Sequence, residues 1–294
     1  MSHIAMVSIP AHGHVNPSLD VVRTLVARGH RVTYANAPTF AEVVAGAGAE
    51  LKPYASTLPG PDEEWSDDPI DHLTLFLDDA IAMLPQLRGA YADDRPDLFL
   101  YDIAGAPARL LGEEWGIPAI QLSPTFVAWT GYEEEMAPVV ESIRADPRGA
   151  DYYRRFTAWL AANGSSVTDS VAFQGRPARC LVLIPEALQP HADRVDPSVY
   201  SFVGPVLGDR SAQGSWTRPA TADKVLLVSS VRPSPGTPTS TAAASTPSPT
   251  CPAGTPCCRS AGTSTRPTSA PYRTPSRCIP GCRSLRSWSR PTPS

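Results

Sequence analysis

The sequence predicts an α/β protein with a doubly wound parallel sheet over residues 1 to about 205. Two observations predict it. Short apolar runs without polar alternation, as expected of strands buried on both faces, recur along this stretch. Segments with apolar residues at helical spacing alternate with them, and turn residues join the two kinds.

The first unit sets the pattern. His3–Ile9 reads as a buried strand, and Pro10 to Pro17 as a loop holding two histidines, a glycine and an asparagine. Pro17 and Ser18 can open a helix, because proline suits a first turn. Leu19, Val22, Leu25 and Val26 give that helix an apolar face. Gly29–His30 ends it, and Arg31–Ala37 is a second strand. Phe40, Val43 and Val44 mark a short helix, followed by a third strand over Glu50–Tyr54. Residues 55–69 form an acidic, proline-bearing loop, and a long amphipathic helix runs from about Ile70 to Tyr91. The fourth strand, LFLYD, ends at Asp102, with a helix over Ala104–Trp115 and a fifth strand with its loop over Gly116–Pro124.

Farther on, residues 125–135 are aromatic and then acidic, and are expected over the crevice. Tyr152–Leu160 is a helix with Tyr153, Phe156, Trp159 and Leu160 on its apolar side. Short strands are expected over 180–185 and 200–206, and a polar linker over 206–223. Residues 224–230 begin one more buried strand, which would open a second sheet.

A strand order of 3-2-1-4-5 puts strands one and four at the switch point, where open α/β sheets bind ligands beyond the carboxyl ends. The loops there carry His14 and Asp102. Each has an ordinary reading: His14 as a loop or helix-cap residue, Asp102 as a helix N-cap. Together they make a base and its orienting carboxylate with no protein nucleophile, so the nucleophile would be a substrate hydroxyl. His12 reads as structural. A metal site at His12 and His14 is not expected, since no third ligand supports it. The loop lacks the G-x-G-x-x-G and P-loop spacings, which disfavours a Rossmann-type oxidoreductase. Phe126, Trp129 and Tyr132 have two readings, ordinary packing or the walls of an apolar pocket.

Composition adds bounds. With a net charge of −4 and a pI near 5.9, nucleic acid and anionic membranes are not expected partners. No apolar run approaches the roughly 20 residues of a bilayer span. The N-terminus enters a strand directly, and a cytoplasmic location is expected. The averages conceal a break near residue 230. Residues 1–230 hold all 29 acidic residues, whereas 231–294 carry eight arginines, 13 of the 33 prolines, five of the six cysteines and no Asp, Glu or Lys.

The segments AHGHVNPSL, LVARGHRVTYA, STLPGPD, YADDRPDLFLYDI, QLSPTFVAWTGYEEE, VLIPEALQPHADRVD and FVGPVLGDRS together resemble the N-terminal half of the macrolide glycosyltransferases of actinomycetes. The resemblance covers residues 1–230. It implies the GT-B fold, in which a Rossmann-like acceptor domain faces a second such domain that holds a nucleotide sugar, usually UDP-glucose. It implies inverting glucosyl transfer to a macrolide hydroxyl, which inactivates the antibiotic. His14 is then the base, Asp102 its partner, and Ser123, Phe126, Trp129 and Tyr132 the expected acceptor contacts. UDP-glucose is a substrate here, and no bound cofactor or metal is implied.

The implied domains are 1–205 for the acceptor, 206–223 for the linker and 224–230 for the start of the donor domain. The family's WVPQ and glycine-rich HAG segments do not appear in 231–294, so the second domain is read as absent or scrambled. Read as translated, 231–294 is a disordered Pro/Ser/Thr/Arg tail. A sharper reading is a frameshift. If one base is lost near Ser230 in GC-rich codons, a permitted rereading restores helix and strand patterns and places WVPQ over Pro280–Ser284. The alternative is a non-catalytic acceptor-domain fragment without a nucleotide-sugar site.

Overall fold

The structure, a computed structural model, describes residues 1–60, 66–206 and 217, and the backbone of 225–228 and 241–244. The chain divides into two units. The first holds a parallel sheet of seven strands: β1 (His3–Val7), β2 (Arg31–Asn36), β3 (Glu50–Pro53), β4 (Leu98–Asp102), β5 (Ala119–Ser123), β6 (Cys180–Val182) and β7 (Tyr200–Phe202). Their order is β3-β2-β1-β4-β5-β6-β7, which contains the expected 3-2-1-4-5 and extends it by two strands. β1 and β4 are adjacent, with Val7 paired to Tyr101.

Helices cover both faces. α1 (His12–Ala27) and α2 (Ala41–Gly46) cover one. There Val15, Leu19, Val22 and Val44 pack with Ile4, Met6, Val32, Leu100 and Leu122 from the strands. The other face is covered by α3 (Pro69–Tyr91), α4 (Ala106–Trp115), α6 (Pro147–Ala162) and α7 (Ser170–Gly175). It is richer in rings: Tyr91, Phe99, Tyr101, Tyr152, Phe156, Trp159 and Phe173. A third, small cluster surrounds β6 and β7, with Val127, Cys180, Val182 and Tyr200 at its centre and Trp129 against it.

Several boundaries differ from expectation. α1 begins at His12, five residues before Pro17, so His14 lies in a helical first turn and not in a loop. The carbonyl of Ala11 accepts from the amides of His14 and Val15, both at 2.9 Å, and starts the helix without a side-chain cap. Pro17 is tolerated inside the helix because it forfeits a single intrahelical bond in the second turn. α5 (Tyr132–Ala145) occupies a stretch read only as aromatic and acidic. On α6 the buried ring of the adjacent pair is Tyr152, and Tyr153 is half-buried.

The second unit is described as two antiparallel strands, β8 (Val225–Val228) and β9 (Thr241–Ala244). β8 falls within the expected strand over 224–230. β9 departs, for its four residues, from the expectation of a structureless tail. The remaining residues of 231–294, residues 61–65 of the acidic loop, and the linker apart from Val206 and Thr217 lie outside the described residues. Among the described residues no helix is long and apolar enough to cross a membrane.

Candidate active site

The site forms where β1 and β4 end side by side. A chain of hydrogen bonds fixes the turn after β1. The amide of Asn36 donates to Ser8 Oγ (2.9 Å), and Ser8 Oγ meets the Tyr34 hydroxyl (2.8 Å). That hydroxyl meets Ser18 Oγ (2.8 Å), which donates to the Val15 carbonyl (2.8 Å). β2 is thereby tied to the first turns of α1, one residue beyond His14. Burial pushes the Tyr34 hydroxyl well above its ordinary pKa, so it remains a neutral donor.

Asp102, 1% exposed, closes β4. Its Oδ1 accepts from the Ala104 amide at 3.1 Å, which sets the plane of the carboxylate. Its Oδ2 accepts a hydrogen bond from Nδ1 of His14. Asp102 is therefore not the N-cap of α4; Gly105 occupies that position. A Cβ on Gly105 would lie 2.7 Å from the Val7 carbonyl oxygen and 3.2 Å from the Asp102 amide nitrogen, so only glycine lets the two strand ends approach this closely.

With Nδ1–H committed to Asp102, a neutral His14 ring presents the lone pair of Nε2. Burial works against the charged ring, but the hydrogen bond and charge of Asp102 outweigh it. The pKa of His14 is raised above the ordinary 6.5. The pair can thus accept a proton and hold the resulting imidazolium.

His14 forms part of the wall of a cavity of about 260 Å³ on the ring-rich face. The apolar wall comes from Leu73, Phe76 and Leu77 on α3, Tyr152 and Phe156 on α6, and Phe173 on α7. Tyr101, Arg109, Gln121 and Gln174 add polar groups. Arg109 is engaged, since its guanidinium donates to the carbonyls of Phe173 (2.6 Å) and Arg176 (3.2 Å) and pairs with Glu113 (3.3 Å).

The structure brings His14 and Asp102 together across 88 residues of sequence. It does not bring Ser123, Phe126, Trp129 or Tyr132 to this cavity. Ser123 is buried, and its Oγ donates to the Thr125 carbonyl at 3.0 Å. Phe126 is 56% exposed. Trp129 stacks edge-on with Tyr132 and lies against His191, and its indole donates to Glu135. Of these rings Trp129 packs against the cluster at β6 and β7. His12 is exposed, with its ring against Phe40. The wall residues on α3 and α6 carried a readable signal, their helical periodicity, but periodicity gives a face and not what lies beneath it.

No family model matches the chain. It is 58% identical over 232 residues to the oleandomycin glycosyltransferase of Streptomyces antibioticus, a match covering 78% of this chain and 54% of that protein. Among solved structures, the glycosyltransferase of kitacinnamycin is 55% identical with a TM-score of 0.70, covering 76% of this chain and 56% of that one. CalG4, the calicheamicin glycosyltransferase, is 28% identical with a TM-score of 0.62 over the same shares. The chain spans little more than half the length of these relatives. Over its N-terminal part, about 78% of its length, the chain is a close homologue of the oleandomycin glycosyltransferase and shares the parallel α/β fold of GT-B antibiotic glycosyltransferases.

Proposed function

We propose that residues 1–205 are the acceptor domain, 206–223 the linker and 224–230 the start of the donor domain of an inverting glycosyltransferase that moves glucose from UDP-glucose to a macrolide hydroxyl, with residues 231–294 read out of frame. The observation that carries the chemistry is the hydrogen bond from His14 to Asp102 beside an apolar cavity. Nε2 of His14 takes the proton of the acceptor hydroxyl as its oxygen bonds to the anomeric carbon. The carbon–oxygen bond to UDP breaks on the opposite side, which inverts the centre. Asp102 orients the ring and stabilises the imidazolium.

The oleandomycin in a relative's name supports a macrolide acceptor. A cavity of about 260 Å³ takes one portion of so large a molecule. The composition break near residue 230 supports the frame reading.

The test has two steps. Sequencing across codon 230 is expected to show one base missing, with the other frame open through WVPQ. The frame-restored protein is then expected to release UDP in the presence of UDP-glucose and a macrolide, and to lose most of that release on His14→Ala. Strong residual turnover in the variant overturns the assignment of His14. If the base is truly absent from the gene, the second reading holds for the translated chain: an acceptor-domain fragment that binds macrolide without turnover.

A further inference from the structure

β5 alternates cleanly. Ile120 and Leu122 pack into the cluster under α1 and α2, so Gln121 between them faces the other side, where it forms part of the cavity wall. The residue is 8% exposed. Its main-chain amide donates to the Arg179 carbonyl at 2.9 Å, but its side-chain carboxamide has no hydrogen-bond partner among the described residues. A carboxamide offers two donors and an acceptor, and here these atoms are not sealed inside the protein but keep accessible surface at the cavity wall, where a ligand can replace their water.

The other polar groups around the cavity are largely committed. His14 is held by Asp102, Arg109 by two carbonyls and Glu113, and Tyr152 by Gln174. Tyr101, directly across the ladder from Gln121, is the exception: its hydroxyl also lacks a partner among the described residues.

We propose that the Gln121 carboxamide hydrogen-bonds an oxygen of the acceptor inside the cavity, and so selects which oxygen-bearing portion of an otherwise apolar molecule enters beside His14. This rests on reading the cavity as an acceptor site. Gln121 is a specificity residue, not a catalytic one. It favours a hydroxyl, ether or carbonyl oxygen over a hydrocarbon of the same shape, because the hydrocarbon strips water from the carboxamide and returns nothing.

A matched pair of small probes tests this on the 1–294 chain. Binding of 2-naphthol and of naphthalene is measured by fluorescence for the wild type and for Gln121→Leu, with Gln121→Met as a second variant should leucine disturb folding. Circular dichroism checks the fold. The ratio of the two affinities is expected to fall about tenfold in the variants, the worth of one buried hydrogen bond. An unchanged ratio in a folded variant overturns the proposal, as does a wild type that does not bind 2-naphthol. Oleandomycin is the third probe: if it fails to bind while the ratio falls as expected, the role of Gln121 stands and the macrolide reading is what fails.

Discussion

The two faces of the sheet are built differently. Under α1 and α2 the filling is mostly aliphatic, and the one buried ring hydroxyl, Tyr34, is satisfied on both sides by Ser8 and Ser18. Under α3, α4 and α6 the filling is rich in rings that meet at tilted or edge-on angles, such as Tyr152–Phe156 and Phe156–Phe173. Branched aliphatic chains interdigitate closely, whereas stiff flat rings crossing at an angle leave space between them. That face encloses the cavity and leaves the Gln121 side chain without a hydrogen-bond partner among the described residues. One face holds the fold together and the other gives up packing for open space. His14 rides on the helix of the first face and reaches the cavity of the second.

The contrast is most sharply tested at His14. In the frame-restored enzyme His14→Ala is expected to lower kcat by about 10²–10⁴, the range of general-base catalysis, while stability falls only by the loss of the pairing with Asp102. A comparable loss of stability would mean the residue belongs to the packing. Next come paired truncations on the two faces. Leu122→Ala, on the aliphatic side and 1% exposed, is expected to destabilise by about 2–5 kcal/mol in urea unfolding. Leu73→Ala borders space that already exists and is expected to cost about 1 kcal/mol or less. Equal values would erase the distinction. Gly105→Ala presses a methyl onto the Val7 carbonyl and is expected to cost about 1–3 kcal/mol, and to disturb the His14–Asp102 bond, visible in the imidazole NMR shifts.

The smallest effect is with pH. His14 is more basic folded than unfolded, so its pairing with Asp102 contributes stability that is complete below about pH 6.5 and is lost as pH rises through the folded value. The stability difference between wild type and His14→Gln is expected to shrink over that interval. Because the base must be neutral, kcat/KM of the restored enzyme is expected to fall on the acid side with a midpoint above 6.5. A midpoint below 6.5 would show that Asp102 does not hold the ring as described.

How far the sequence alone reaches follows from the same physics. The five strands β1 to β5 and their order are readable because runs such as Ile4–Val7 and Leu98–Tyr101 are buried on both faces. The meeting of His14 and Asp102 follows from that order. The start of α1 is not readable, because Ala11 carries no capping side chain and Pro17 resembles a first-turn residue. Nor is the aromatic assignment. Trp129 and Tyr132 have the composition of a pocket wall, but Tyr132 opens a helix and meets the Trp129 ring edge-on, while Trp129 lies against His191. The rings that do form the wall come from three separate helices, and spacing within a helix does not say which helices meet.

α5 has a consequence of its own. None of its 14 residues is buried, and Pro138 breaks its ladder of amide bonds. Its tethers include the ion pairs Glu133–Arg176 and Glu135–Arg194, all four side chains being more than a third exposed. Such pairs are screened by salt, while the apolar clusters on either side of the sheet are not. The amides of α5 are therefore expected to exchange with deuterium by local opening, far ahead of those of β1 and β4, and faster still in 1 M NaCl. The helix is a separately melting piece on an otherwise cooperative body, and ionic strength sets how often it lets go.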